Sequence, residues 1–197
     1  MALLVLVGTG CSSKKFAADL YDDIYWNGKN VEKDSSSDSK GSKGSKGSKG
    51  SKGSNTNAKT AYQKLGISQS KDDNTKLYTV AASWLGTKYK YGSCSRSGTD
   101  CSGLVMQIYK EVYGKTLDRS SSGILAKNCK KINKSQLKPG DLVFFRTDGT
   151  KSKTPNHVAL YLKENKFIHA STHNGVIVSN LNESYYVKCF LTFGRVK

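Results

Sequence analysis

The order of hydrophobic patterns along the second half of this chain constrains its fold more than any other feature. Helical patterns come first and strand patterns follow. Thr75 to Leu85 carries Leu77, Val80, Ala81 and Trp84 on one side, the spacing of an amphipathic helix. Cys101 to Tyr113 repeats the pattern with Leu104, Val105, Ile108 and Val112, and Gly114 stops it. Ser120 to Lys127 reads as a short third helix. Then Asp141–Arg146, His157–Lys163, Lys166–Ala170, Gly175–Ser179 and Lys188–Arg195 read as strands. Helices followed by strands predict an α+β domain, with N-terminal helices packed on a central antiparallel sheet.

The richest chemistry lies where the second helix begins, at Asp100-Cys101-Ser102-Gly103. A cysteine in the first helical turn feels the positive end of the dipole and several unpaired N–H groups. Both favour thiolate, and such positions lower thiol pKa values to roughly 3.5–7.5. The alternative is a buried structural cysteine. A cysteine nucleophile needs a base and a group to orient that base. The chain has three histidines, His157, His169 and His173. His157 opens one strand pattern, His169 closes the next, and Lys163-Glu164-Asn165-Lys166 is the polar turn between them. An antiparallel hairpin can bring these two histidines, 12 residues apart, side by side. One would take the thiol proton and the other would fix its tautomer. A metal site built from His157, His169 and His173 is a competing reading. It is disfavoured because Ser171 to Gly175 reads as a turn, not a helix.

From about Thr75 to Lys197 the chain resembles the NlpC-type papain-like cysteine peptidases of bacterial cell walls. Five segments carry the resemblance in order. Gly86-Thr87-Lys88-Tyr89-Lys90-Tyr91-Gly92 is similar to the family's glycine–tyrosine motif, with Ser93 in place of its second glycine. Asp100 to Val105 matches the nucleophile motif, and Leu137 to Phe145 the first strand. His157 to Tyr161 and Phe167 to Ser171 match the two histidine strands. The tail from Ser184 to Phe190, ending near Val196, resembles the last strand. The resemblance implies that Cys101 attacks a peptide carbonyl, His157 acts as general base and acid, and His169 orients it. It implies that Tyr89 helps hold the oxyanion and that Asp100 and Ser102 line the substrate's amino-terminal side. Packing and helix capping are the plain alternatives for Tyr89 and Asp100. The implied activity is cleavage of peptidoglycan stem peptides without a metal or other cofactor, by a monomer. A non-catalytic wall-binding domain and a thiol amidase or acyltransferase with another substrate are the alternatives.

Charge agrees with a polyanionic setting. Residues 75–197 carry 20 Lys and Arg against 7 Asp and Glu, and a basic surface favours acidic polymers. Zinc-finger spacing, basic heptads and aromatic RNA motifs are absent, so specific nucleic-acid binding is not expected. Ala2 to Val7 is apolar and Gly8-Thr9-Gly10-Cys11 follows. Residues 1–11 therefore read as an export signal ending at a lipoprotein-type Cys11, which places the protein in the cell envelope on a membrane anchor. Residues 12–74 read as a tether, with five Ser-Lys-Gly units from Ser39 to Gly53 and one brief helical turn near Ala61–Gly66. Cys94, Cys129 and Cys189 remain. Cys94 reads as an inert neighbour of the nucleophile, with a disulfide that masks the nucleophile as the alternative, and a Cys129–Cys189 bridge is open in an exported protein.

Overall fold

The turn between the histidine strands sets the sheet. In the computed structural model, which describes residues 53–197 with side chains from residue 57 onward, Glu164 and Asn165 both take positive φ, 56° and 59°. Two such residues make the tight turn whose twist suits a hairpin. Strands β5 (His157–Lys163) and β6 (Lys166–Ser171) leave this turn antiparallel. They join β3 (Cys129–Ile132), β4 (Leu142–Phe145), β7 (Gly175–Asn180) and β8 (Phe190–Val196) in one sheet ordered β3-β8-β4-β5-β6-β7, with every pairing antiparallel. A small ribbon, β1 (Cys94–Ser95) with β2 (Gly98–Thr99), stands apart. The fold is α+β, as the order of patterns predicts.

Alternation along the strands divides the core between two faces. Leu142, Phe144, Val158, Leu160, Leu162 and Ile168 face the helices α2 (Thr75–Trp84) and α3 (Cys101–Tyr113), and meet Leu77, Tyr78, Leu104, Val105 and Ile108 there. Val143, Phe145, Ala159, Phe167 and Phe193 face the other way, with Tyr186 from the short helix α4 (Ser184–Cys189). The α3 helix begins at Asp100, whose side chain accepts from Gly103 N–H, and ends at Gly114 in the left-handed conformation at φ 65°. Gly103 is needed for close approach, since a Cβ there would lie 2.4 Å from the Ser93 carbonyl oxygen.

Three sequence expectations are corrected. The tether does not run to residue 74, because α1 (Gly53–Leu65) is a full helix and Ala58, Ala61, Tyr62, Leu65 and Ile67 are buried in the helical core. The segment after α1 is tied to the hairpin turn, where Lys163 Nζ meets Asp73 Oδ2 at 3.0 Å and Ser68 N–H donates to Glu164 Oε1 at 3.1 Å. Lys166 also donates to the Gly66 carbonyl. The tail from Ser184 is not strand throughout, since Ser184–Cys189 is helical and the strand begins at Phe190. Cys129 and Cys189 form no bridge. Cys94, Cys101, Cys129 and Cys189 are all free, and β8 separates Cys189 from Cys129, which pairs with Val196 at that strand's far end. The short third helix is present, α-helical at Ser121–Gly123 behind a Ser120 cap and continued as a π-helix over Ile124–Asn128. The export signal, Cys11 and the Ser-Lys-Gly units before Gly53 lie outside the described residues. Among the described residues, no helix is long and apolar enough to cross a membrane.

Candidate active site

Register places the two histidines. Continuing the Leu160↔Ile168 pairing makes His157 a diagonal neighbour of His169 on one face of the sheet, the face that also carries Ala159 and Phe167. Their rings meet edge to face, with centroids 5.1 Å apart at 87°. His157 Nε2 and His169 Nδ1 are 3.0 Å apart. That bond leaves Nδ1 of His157 as the ring nitrogen available to a substrate or a thiol. The pairing expected from the hairpin is present, offset by one diagonal.

The nucleophile wall comes from the start of α3. Cys101, His157, His169, Tyr89 and Tyr186 line one cavity of about 200 Å³. The peptide N–H groups of Val158, Ser102 and Cys101 itself lie near enough to the Cys101 sulfur to favour its thiolate. The Val158 contact puts the sulfur beside the first residues of β5. Thr147 and Asn156, at the ends of the polar loop after β4, complete the rim. The body of that loop lines a neighbouring cavity of about 420 Å³.

Electrostatics correct one expectation. Burial pushes the Cys101 thiol above its ordinary value; the three N–H groups pull it down and the nearby Asp100 pushes it up, with a net rise. Burial also lowers His157 to about 4, and burial plus the neighbouring His157 takes His169 well below its ordinary value. At rest the pair is therefore neutral, thiol and imidazole, and the helix terminus alone does not ionise the sulfur. Tyr89 is raised to about 12 by burial and by the proximity of Cys101 and Asp100. It stays a neutral phenol, able to donate a hydrogen bond.

Asp100 and Ser102 are not among the residues that line this cavity. Both are buried. Asp100 accepts from Gly103 N–H at 2.7 Å and Gly92 N–H at 2.8 Å, and Arg119 grips it with Nη1 at 2.8 Å and Nη2 at 2.6 Å. Ser102 Oγ donates to Asp100 at 3.1 Å and accepts from Arg119 at 2.8 Å. Burial alone would raise the Asp100 carboxyl, but Arg119 and the two N–H groups outweigh it and hold the group below its ordinary value. The capping reading of Asp100 describes this arrangement. Arg119 was not singled out from sequence, because nothing in the chain signals a partner 19 residues from Asp100. His173 sits on the turn after β6 with Thr172 Oγ1 3.2 Å from its Nδ1. Among the described residues, no group of three or more His, Cys, Asp or Glu side chains is placed to hold a metal ion.

Comparison with known proteins places these features in a family. The model of the NlpC/P60 family matches residues 86–195. A Haemophilus influenzae protein named "probable endopeptidase NlpC homolog" is 40% identical over 120 residues, covering 61% of this chain and 61% of that protein. An Escherichia coli protein named murein DD-endopeptidase MepS/murein LD-carboxypeptidase is 37% identical over 125 residues, covering 64% of each. The chain thus spans about three fifths of the length of these curated relatives. The crystal structure of an NlpC/P60 family protein from Bacillus cereus superposes with a TM-score of 0.54 at 32% identity, over 61% of this chain and 38% of that one. The motif order, the antiparallel sheet and the match over residues 86–195 together show that the chain belongs to the NlpC/P60 family.

Proposed function

We propose that this protein is a peptidoglycan endopeptidase that hydrolyses an amide bond of the stem peptide or of the cross-link between stems. The observation that carries the reading is the shared cavity of Cys101, His157, His169 and Tyr89, with the 3.0 Å bond between the histidines. The names of the endopeptidase relatives support the same substrate class.

The chemistry follows from the neutral pair. His157 Nδ1 takes the thiol proton as the sulfur attacks the carbonyl carbon. The oxyanion accepts from Cys101 N–H and from the Tyr89 hydroxyl. Collapse expels the amine, which His157 protonates, and leaves a thioester on Cys101. Water, deprotonated by His157, attacks that thioester and returns the thiol. Because the His157 imidazole is uncharged at neutral pH, with one ring nitrogen unprotonated, it is a competent base without prior ion-pair formation.

The same reading sets the protein in the cell envelope. Acylation of Cys11 would hold it at a membrane, and the excess of Lys and Arg over residues 75–197 suits the anionic polymers of the wall. A monomer suffices, since every group invoked belongs to one chain. The test is incubation with purified muropeptides under reducing conditions, followed by mass spectrometry. Product masses name the cleaved bond. Intact muropeptides overturn the hydrolase reading and favour a wall-binding domain, whereas cleavage that survives Cys101→Ala removes the assigned nucleophile.

A further inference from the structure

The far nitrogen of His169 is held by two hydroxyls. His169 Nε2 lies 3.0 Å from Ser179 Oγ on β7 and 3.1 Å from the Tyr186 hydroxyl on α4. Ser179 Oγ in turn donates to the Tyr186 hydroxyl at 3.3 Å. All three residues are buried, with His169 2%, Ser179 4% and Tyr186 7% exposed. The Tyr186 ring is fixed independently by edge contact with Phe167, at a centroid distance of 4.9 Å, and by Phe145 at 5.4 Å.

We propose that Ser179 and Tyr186 are positioning residues which, by accepting from His169 Nε2–H, set the tautomers of both histidines and keep His157 Nδ1 free to accept a proton. A proton on His169 Nε2 leaves its Nδ1 as an acceptor. His157 must then carry its own proton on Nε2, donated across the 3.0 Å bond. Its lone pair is thereby fixed on Nδ1. With both hydroxyls gone, His169 Nε2–H would be a buried donor without a partner, a costly state. The proton then moves to His169 Nδ1, donates to His157 Nε2, and puts the His157 proton on Nδ1. That tautomer cannot take a proton from the thiol. The two hydroxyls back each other up, so either one alone keeps the correct state. This inference rests on the hydrolase reading for its activity readout, but not for its spectroscopic one.

The experiment compares wild type with Ser179→Ala, Tyr186→Phe, the double variant and Ser179→Thr/Tyr186→Phe. Nitrogen-15 spectra of histidine-labelled protein, assigned by single substitution of each of the three histidines, report the tautomers at pH 7. Both His157 and His169 are expected as Nε2–H forms in wild type and in each single variant. The double variant is expected to show Nδ1–H forms and a muropeptide cleavage rate about 100-fold lower, the scale of a lost general base. Each single variant should lose less than about 10-fold, and the threonine variant, which restores one hydroxyl, should recover to that level. Unchanged tautomers in the double variant, or a Nδ1–H form of His169 in wild type, overturn the proposal. If the double variant does not fold, the wild-type and single-variant spectra decide it: Nε2–H forms of both histidines in all three support the proposal, and a Nδ1–H form of His157 or His169 in any of them overturns it. The spectra need no turnover, so inactive wild-type protein counts against the hydrolase reading alone.

Discussion

The two walls of the Cys101–His157 cavity are held by opposite means. The α3 wall is built on charge. Asp100 is ionised, buried and gripped at two points by Arg119, with two peptide N–H groups completing its shell. The β5–β6 wall is built on neutrality. Its histidines, His169 buried and His157 half-buried, sit where neither readily takes a second proton, and they are joined end to end with two hydroxyls behind them. The charged wall fixes where the sulfur sits, and the neutral wall fixes where a proton can go. The proposed nucleophile and base need different things, one a rigid address and the other a single available lone pair, and under that reading each wall has the interaction suited to its role.

Breaking the neutral wall has the largest expected effect. His157→Gln keeps a hydrogen-bonding side chain but cannot exchange the thiol proton, so kcat/KM for muropeptide cleavage should fall by at least about 10³-fold with unchanged circular dichroism. Breaking the charged wall should act first on stability. Asp100→Ala removes the helix cap and strands Arg119, costing about 2 kcal/mol in urea denaturation. Asp100→Asn keeps an acceptor for Gly103 N–H and should cost less, which separates capping from ion pairing. The smallest effect sharpens the contrast through pH. Both histidines have folded-state pKa values below the unfolded value, so the unfolded chain binds more protons between pH 6.5 and about 4. Stability should therefore decline as pH falls through that window, by a few degrees in Tm. His157→Gln should flatten the decline. The Asp100 contribution, present above the unfolded carboxylate value and lost as pH falls through the lowered folded value, should enter only below this window.

These walls were unequally legible in the sequence. The hairpin could be read from the alternation of His157 to Leu162 and of Phe167 to Ala170, and from a polar turn whose residues tolerate positive φ. The start of α3 was legible because Asp100 is a strong capping residue ahead of an apolar helical pattern. Tyr186 was hidden for a local reason. Ser184 to Phe190 is rich in aromatic and β-branched residues, which favour strands, and only tertiary packing over Phe145 and Phe167 makes it helical. The α1 helix was hidden by composition, since its first residues continue the Gly, Ser and Asn of the repeats. The thiol's direction of shift was illegible because burial, a property of the assembled cavity, outweighs the helix terminus.

The docking of residues 66–73 on the hairpin has a mechanical consequence. Gly66, Ser68 and Asp73 grip Lys166, Glu164 and Lys163, all at the closed end of the β5–β6 ribbon. His157 opens β5 at the other end, about 20 Å of strand away. A pull from upstream is met first by α1 in the helical core and only then by this closed end of the ribbon. Tension that reaches the sheet there is borne far from the histidines and does not tug them out of line.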